Sequence, residues 1–201
     1  METRDNGDRP FILIDKLSAQ IFVFDSSGVQ LAREPVLLGT ARGDESAPGV
    51  GNRELSHIPV SERTTPAGRF SASFGAAVGY SEPVLWVDYA DAIALHPILN
   101  PKPAEHRPER LQSLDPGDNR ITFGCINVGR SLFDEIIKPL FGTDGGMVYI
   151  LPETRVLDDV FPSIAPDAFP PPSPFIEAFA SYRLPALSRD EPEAPTRLGY
   201  K

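Results

Sequence analysis

The chain has one cysteine, one tryptophan, two methionines and three histidines among 201 residues. A single cysteine excludes an intramolecular disulfide, so bridging gives no clue to redox compartment. Three histidines with no close pair of the C-x-x-C or H-x-x-x-H kind offer little for a zinc tetrahedron, and neither a metal nor another cofactor is expected. Positive charge is also scarce: 19 Lys and Arg face 28 Asp and Glu, giving a formal charge of −9 and a pI near 4.8. Such a chain repels phosphate backbones, which argues against nucleic acid as a partner. No apolar run reaches the roughly 18 residues a membrane span needs. The stretch from Val84 to Leu99 is interrupted by Asp88, Asp91 and His96, so the chain as given is expected not to insert into a membrane. The start Met1-Glu2-Thr3-Arg4-Asp5 lacks the apolar core of a secretory signal, which predicts either a cytosolic protein or a leader absent from this sequence. No internal repeat of solenoid or propeller period is present.

Proline and glycine are plentiful, at 22 and 16 residues, and they punctuate short apolar runs. Phe11 to Asp15, Gln20 to Asp25 and Gln30 to Arg33 have strand length and are separated by turns such as Asp25-Ser26-Ser27-Gly28, which predicts an antiparallel meander. Residues 39–68 are rich in Gly, Pro, Ser, Thr and charge and read as a long loop flanking the site. Strands are predicted again at Phe70 to Phe74, Val84 to Tyr89, Ala92 to Leu95 and Met147 to Leu151. Glu105 to Leu114 has the makings of a short helix within a proline-rich surface segment. Ser131 to Lys138 reads as a helix with Leu132, Ile136 and Ile137 on one face and Pro139 stopping it. From Pro162 onward prolines cluster again, as a linker or wrapping tail in which Phe175, Ile176, Phe179 and Tyr182 form one amphipathic helix that docks on the domain or meets a protein partner.

The chemistry centres on Thr122-Phe123-Gly124-Cys125-Ile126-Asn127, where the lone cysteine follows a glycine in a turn-like setting. A free cysteine is usually an inert, buried small hydrophobe. Here Gly124 permits close backbone approach, and Ser131 with Asp134 resembles a helix opening, whose field favours thiolate. A nucleophilic thiol needs a base, and the choices are His57, His96 and His106. His96 ends an apolar strand, a firm platform; His106 lies in the charged segment Glu105-His106-Arg107-Pro108; His57 reads as an ordinary loop residue.

Gly124-Cys125-Ile126-Asn127 resembles the Gly-Cys-apolar-Arg/Asn core of the L,D-transpeptidase catalytic domain, which usually reads Ser/Thr-His-Gly-Cys. Thr122 matches, and Phe123 stands in place of the usual histidine. Asp15-Lys16 with Gln20-Ile21-Phe22-Val23-Phe24-Asp25 and Gly28 is similar to that family's opening hairpin. Thr65-Pro66-Ala67-Gly68-Arg69-Phe70 is similar to its Thr-Pro-x-Gly-x-Phe segment, and Met147-Val148-Tyr149-Ile150-Leu151-Pro152 to its closing strand. The resemblance implies a mostly β, β-sandwich-like domain with one or two short helices over residues 11–152, followed by a proline-rich C-terminal extension over 153–201. It implies that Cys125 is the nucleophile and His96 the base, although Pro97 replaces a glycine. The His96 to Cys125 interval is longer than is common in the family, whereas that from His106 is closer to it, so His106 is the alternative base. Gly124, Thr122, Asn127 and Phe123 fall at positions lining the oxyanion and substrate. The implied reaction forms a thioester with a peptidoglycan tetrapeptide stem, releases D-alanine and passes the acyl group to an amine or to water. That places the protein in the periplasm or facing the cell wall. A non-catalytic wall- or protein-binding module on the same fold, and another cysteine acyl transferase, are the competing readings. Arg120 and Arg130 flank the motif as candidate partners for a substrate carboxylate.

Overall fold

The computed structural model describes residues 5–98, 102–142 and 144–162. Ten strands run β1 (Phe11–Asp15), β2 (Gln20–Phe24), β3 (Gln30–Pro35), β4 (Leu38–Gly39), β5 (Gly68–Gly75), β6 (Val84–Asp88), β7 (Ile93–Pro97), β8 (Arg120–Thr122), β9 (Ile126–Val128) and β10 (Gly146–Ile150). Eight form a mixed sheet in the order β3-β2-β1-β10-β5-β6-β7-β9, and β4 pairs with β8. The expected meander is β1 to β3, held by the Asp25 turn. There Asp25 Oδ1 accepts from the Ser27 and Val29 N–H groups, both at 2.9 Å, and Gly28 takes a φ of 90°.

β10 lies between β1, to which it is parallel, and β5, to which it is antiparallel. β5 changes partner along its length: Gly68 to Ala72 pair with β10, and Ser73 to Gly75 with β6. This handover lets the sheet fold over itself, so that Ile12, Ile14, Ile21 and Val23 share one core with Leu85, Val87, Leu95, Ile126 and Val128. The domain is therefore mostly β and sandwich-like. Among the described residues, no helix is long and apolar enough to cross a membrane.

Differences from expectation have local causes. The seventh strand starts at Ile93 because Ala92 turns into the left-handed region, with φ 56°. Strands β4, β8 and β9 were not predicted, being only two or three residues long and too short to show a period. The helix expected within 105–114 shrinks to α1 (Arg107–Leu111). Pro139 does not end its helix: Leu132–Ile137 form a π-helical segment that continues into α2 (Lys138–Phe141). The wider π turn tolerates a residue without an N–H, and it puts Leu132, Phe133 and Ile137 into the core. The amphipathic helix expected around Phe175 to Tyr182 lies outside the described residues.

A buried ionic cluster fastens the ends of the domain. Lys16, fully buried, donates through Nζ to Gly43 O at 2.5 Å, Asp44 Oδ1 at 2.7 Å and Thr65 O at 2.9 Å. Asp44 also accepts from the N–H groups of Glu153, Thr154 and Arg155 and from the Thr154 hydroxyl. Glu153 in turn takes both Arg120 nitrogens, at 3.1 and 2.7 Å. Contacts of the domain thus continue past residue 152, and Arg120 serves the cluster instead of facing a substrate. Burial disfavours the Asp44 carboxylate, but the bonds from Lys16, Thr154 and the backbone outweigh it and hold its pKa far below the ordinary range. A depressed carboxyl stabilises the fold fully above its unfolded pKa of about 4, and that contribution is lost as pH falls toward the folded value. The stability gap between wild type and Asp44→Asn, read from urea curves, is therefore expected to narrow steadily below about pH 4. A gap independent of pH would contradict this.

Candidate active site

β7 and β9 run parallel, with Leu95 opposite Ile126 and His96 opposite Asn127. Stepping back one residue sets Ala94 against Cys125. Side chains alternate along strands, so His96, Asn127 and Cys125 project from one face. With strands about 4.8 Å apart and a rise of about 3.3 Å per residue, His96 and Cys125 are diagonal neighbours roughly 8 Å apart at Cα.

Gly124 makes the turn that presents Cys125. Its φ is 129°, and a Cβ there would lie 2.8 Å from both the Ile93 side chain and Thr64 O. Only glycine fits. Thr65 Oγ1 donates to Gly124 O at 2.7 Å and accepts from Gly39 N–H at 2.9 Å, pinning the turn to β4. Thr122 Oγ1 donates to Cys125 O at 2.6 Å and accepts from Gly124 N–H at 3.2 Å. The Thr122 hydroxyl is thus occupied within the turn, and the Gly124 N–H already has an acceptor. The Cys125 N–H is the remaining backbone donor of that pair beside the sulfur. The loop of residues 40–67 flanks the turn as expected, with the Arg63 guanidinium 4.0 Å above the Phe123 ring, a cation–π contact.

The half-buried Cys125 Sγ lies 3.6 Å from Ala92 O. Burial pushes the thiol up; a backbone bond from Ala94 and the positive charge of Arg107 oppose this only in part. The expectation that a helix start favours thiolate therefore fails. Ser131 is already helical, at φ −61° and ψ −45°, and makes no side-chain cap.

His96 is buried. Its Nδ1 lies 2.9 Å from Pro97 O, and its Nε2 lies 3.0 Å from Tyr80 Oη and 3.1 Å from Asn127 Nδ2. The Tyr80 ring meets the imidazole edge to face at 4.8 Å. Burial pushes His96 below its ordinary value and the Arg107 charge adds to this, against the opposing bond to Pro97. Burial, with neighbouring Cys125, pushes the Tyr80 phenol up to about 12. All three shifts favour the uncharged forms of thiol, phenol and imidazole. Asn127 spends its amide on His96 and on Arg107, whose Nη1 donates to Oδ1 at 2.7 Å.

His106 is exposed at the start of α1 with a left-handed φ of 47°, and His57 is exposed beside Glu54. Arg130 pairs with Glu82 and Asp134. Tyr80, Arg63 and Arg107 escaped the sequence reading. All three come from loops or a helix start, and the only available signal was the position of Arg107 directly after a histidine already under consideration.

No protein-family model and no curated protein matches the chain. Among solved structures, it is similar to the helical cell shape determining protein Pgp2 of Campylobacter jejuni at 14% identity and a TM-score of 0.46, over 74% of this chain and 48% of that one. It is similar to the L,D-transpeptidase of Xylanimonas cellulosilytica at 15% identity and a TM-score of 0.41, over 71% of this chain and 60% of that one. For the catalytic domain of the E. faecium L,D-transpeptidase the figures are 16% and 0.38, over 72% and 98%. The chain thus spans about half of the first protein and three fifths of the second. In backbone architecture it is similar to these L,D-transpeptidase domains.

Proposed function

We propose that the protein is a cysteine acyltransferase of the L,D-transpeptidase kind, acting on peptidoglycan stem peptides in the periplasm or facing the wall. The observation that carries this reading is the β7–β9 register, which sets the Cys125 thiol and the His96 imidazole diagonally on one face. The ordered run of sequence segments ending in Gly124-Cys125-Ile126-Asn127 supports the substrate class.

His96 Nε2 takes the Sγ proton as the sulfur attacks the carbonyl preceding the terminal D-alanine. The S–C bond forms, the oxyanion is met by the Cys125 N–H, and the C–N bond breaks as His96 returns the proton to the leaving amine. An amine or water then resolves the thioester.

The test is mass spectrometry of a disaccharide-tetrapeptide incubated with wild type and with Cys125→Ala. A dimer lacking one D-alanine, or a tripeptide, formed only by wild type, is the expected result. Unchanged substrate with both proteins overturns the proposal. It would favour the second reading, a non-catalytic wall-binding module, for which the specific observation is that Tyr80 Oη and Asn127 Nδ2 both lie within hydrogen-bond distance of His96 Nε2, while burial pushes the Cys125 thiol up. The C-terminal extension as a docking segment for a protein partner belongs to either proposal.

A further inference from the structure

Arg107 lies outside every motif by which the site is recognisable, yet its largely buried guanidinium reaches the site's interior. Its Nη1 donates to Asn127 Oδ1 at 2.7 Å and its Nε to Glu105 Oε2 at 2.6 Å. A guanidinium has only donors, so the Asn127 amide must present oxygen to Arg107 and its NH2 to the opposite side. There Nδ2 lies 3.1 Å from His96 Nε2. An amide NH2 donates, so Nε2 accepts, and the proton of a neutral ring sits on Nδ1. Nδ1 lies 2.9 Å from Pro97 O, which can only accept. The two ends of the chain of bonds assign the same tautomer independently.

We propose that Arg107 is a positioning residue: acting through the Asn127 amide, it fixes His96 as the Nδ1–H tautomer with its lone pair at Nε2 and opposes formation of the imidazolium. Protonating Nε2 sets an N–H against the Asn127 NH2. Flipping the amide relieves that contact but turns the NH2 onto Arg107 Nη1. While Arg107 is in place, a charged ring finds an acceptor for Nε2–H only in Tyr80 Oη, 3.0 Å away, and keeps the Asn127 NH2 against the same nitrogen. The other groups around the ring do not reverse this. Tyr80 Oη donates to Nε2 of the neutral ring and turns to accept from it in the charged one, burial favours the protonated Cys125 thiol, and Glu105 is engaged by Arg107. The Pro97 carbonyl favours the charged ring and is opposed by burial and by the Arg107 charge. The tautomer does not depend on the acyl-transfer reading. The catalytic consequence does rest on it: Nε2 is the position that must take the Cys125 proton, and the lock keeps it unprotonated on the acid side of neutrality.

The experiment is a pH titration of the His96 ring by 15N NMR in the full chain, with signals assigned against His57→Gln and His106→Gln. Wild type is expected to show Nδ1–H and a midpoint below the ordinary value of about 6.5. In Arg107→Met the amide is free to turn its oxygen toward Nε2, so Nε2–H is opposed only by the loss of the Nδ1–H bond to Pro97 O, and the midpoint rises by about one pH unit or more. Arg107→Lys keeps a donor and a charge and is expected to retain the wild-type tautomer. An Nε2–H ring in wild type overturns the proposal, as does Arg107→Met that leaves tautomer and midpoint unchanged. Should the methionine variant fail to fold, Arg107→Leu, which also lacks a donor, is read in the same way, and the wild-type tautomer alone still decides the first arm. Because activity is not measured, an inactive protein with the Nδ1–H ring would sink acyl transfer and leave this assignment standing.

Discussion

Cys125→Ser is expected to lower turnover of a stem tetrapeptide by at least about 10³-fold while leaving the fold intact. The exchange alters one atom and keeps a donor facing Ala92 O, so the Gly124 turn is not disturbed. What changes is the nucleophile. A thiol is intrinsically reactive and reaches its anion at accessible pH, whereas a hydroxyl needs a strong base working in concert with it. The site offers no such base at rest. His96 is buried, lies beside a cation, and has its Nε2 lone pair already shared between Tyr80 and Asn127. The burial that raises the Cys125 pKa penalises an alkoxide still more. Product formation by the serine variant within about tenfold of wild type would show that the thiol is not the attacking group.

Lys16→Met is expected to cost about 3–5 kcal/mol of stability, because it leaves buried acids without their cation. All three ammonium donors are used, on Gly43, Asp44 and Thr65, and Glu153 Oε1 lies 3.8 Å away. Methionine nearly fills the space, so the loss reports the uncompensated charge and not a cavity. A fall in the urea midpoint with an unchanged slope is the readout, and a loss under about 1 kcal/mol, typical of an exposed pair, would refute it. Activity should fall as well. Thr65 is both an acceptor of the Lys16 ammonium and the donor that pins Gly124, so the cluster and the Gly124–Cys125 turn share one residue.

The strands of the meander were legible because β1 and β2 are apolar runs of strand length and the turn after β2 carries Asp25 and Gly28 where the backbone demands them. β9 was not, since Ile126 to Val128 are all buried and only three residues long, leaving no period to read. The site split along the same line. Gly124, Cys125 and His96 stand out as candidates because their residue types can carry the chemistry and local sequence betrays their setting. Tyr80 and Arg107 reach His96 and Asn127 across 16 and 20 residues of chain, and their roles exist only in the register of β7 with β9. Pro139 shows the opposite failure. A strong local stop signal yielded to the widened turn that buries Phe133 against Phe74.

The position of β10 has a consequence for biosynthesis. Its residues, Gly146–Ile150, fill the gap between β1 and β5, so every strand from the N-terminal meander must wait for the last strand before joining the other half of the sheet. A nascent chain shorter than about 150 residues exposes two unpaired strand edges, β1 and β5, and cannot close its core. Domain closure is therefore a late event on the ribosome, slow because its pairings are distant in sequence, and a chain cut short before Gly146 is a substrate for chaperones and proteases and not a smaller version of the same fold.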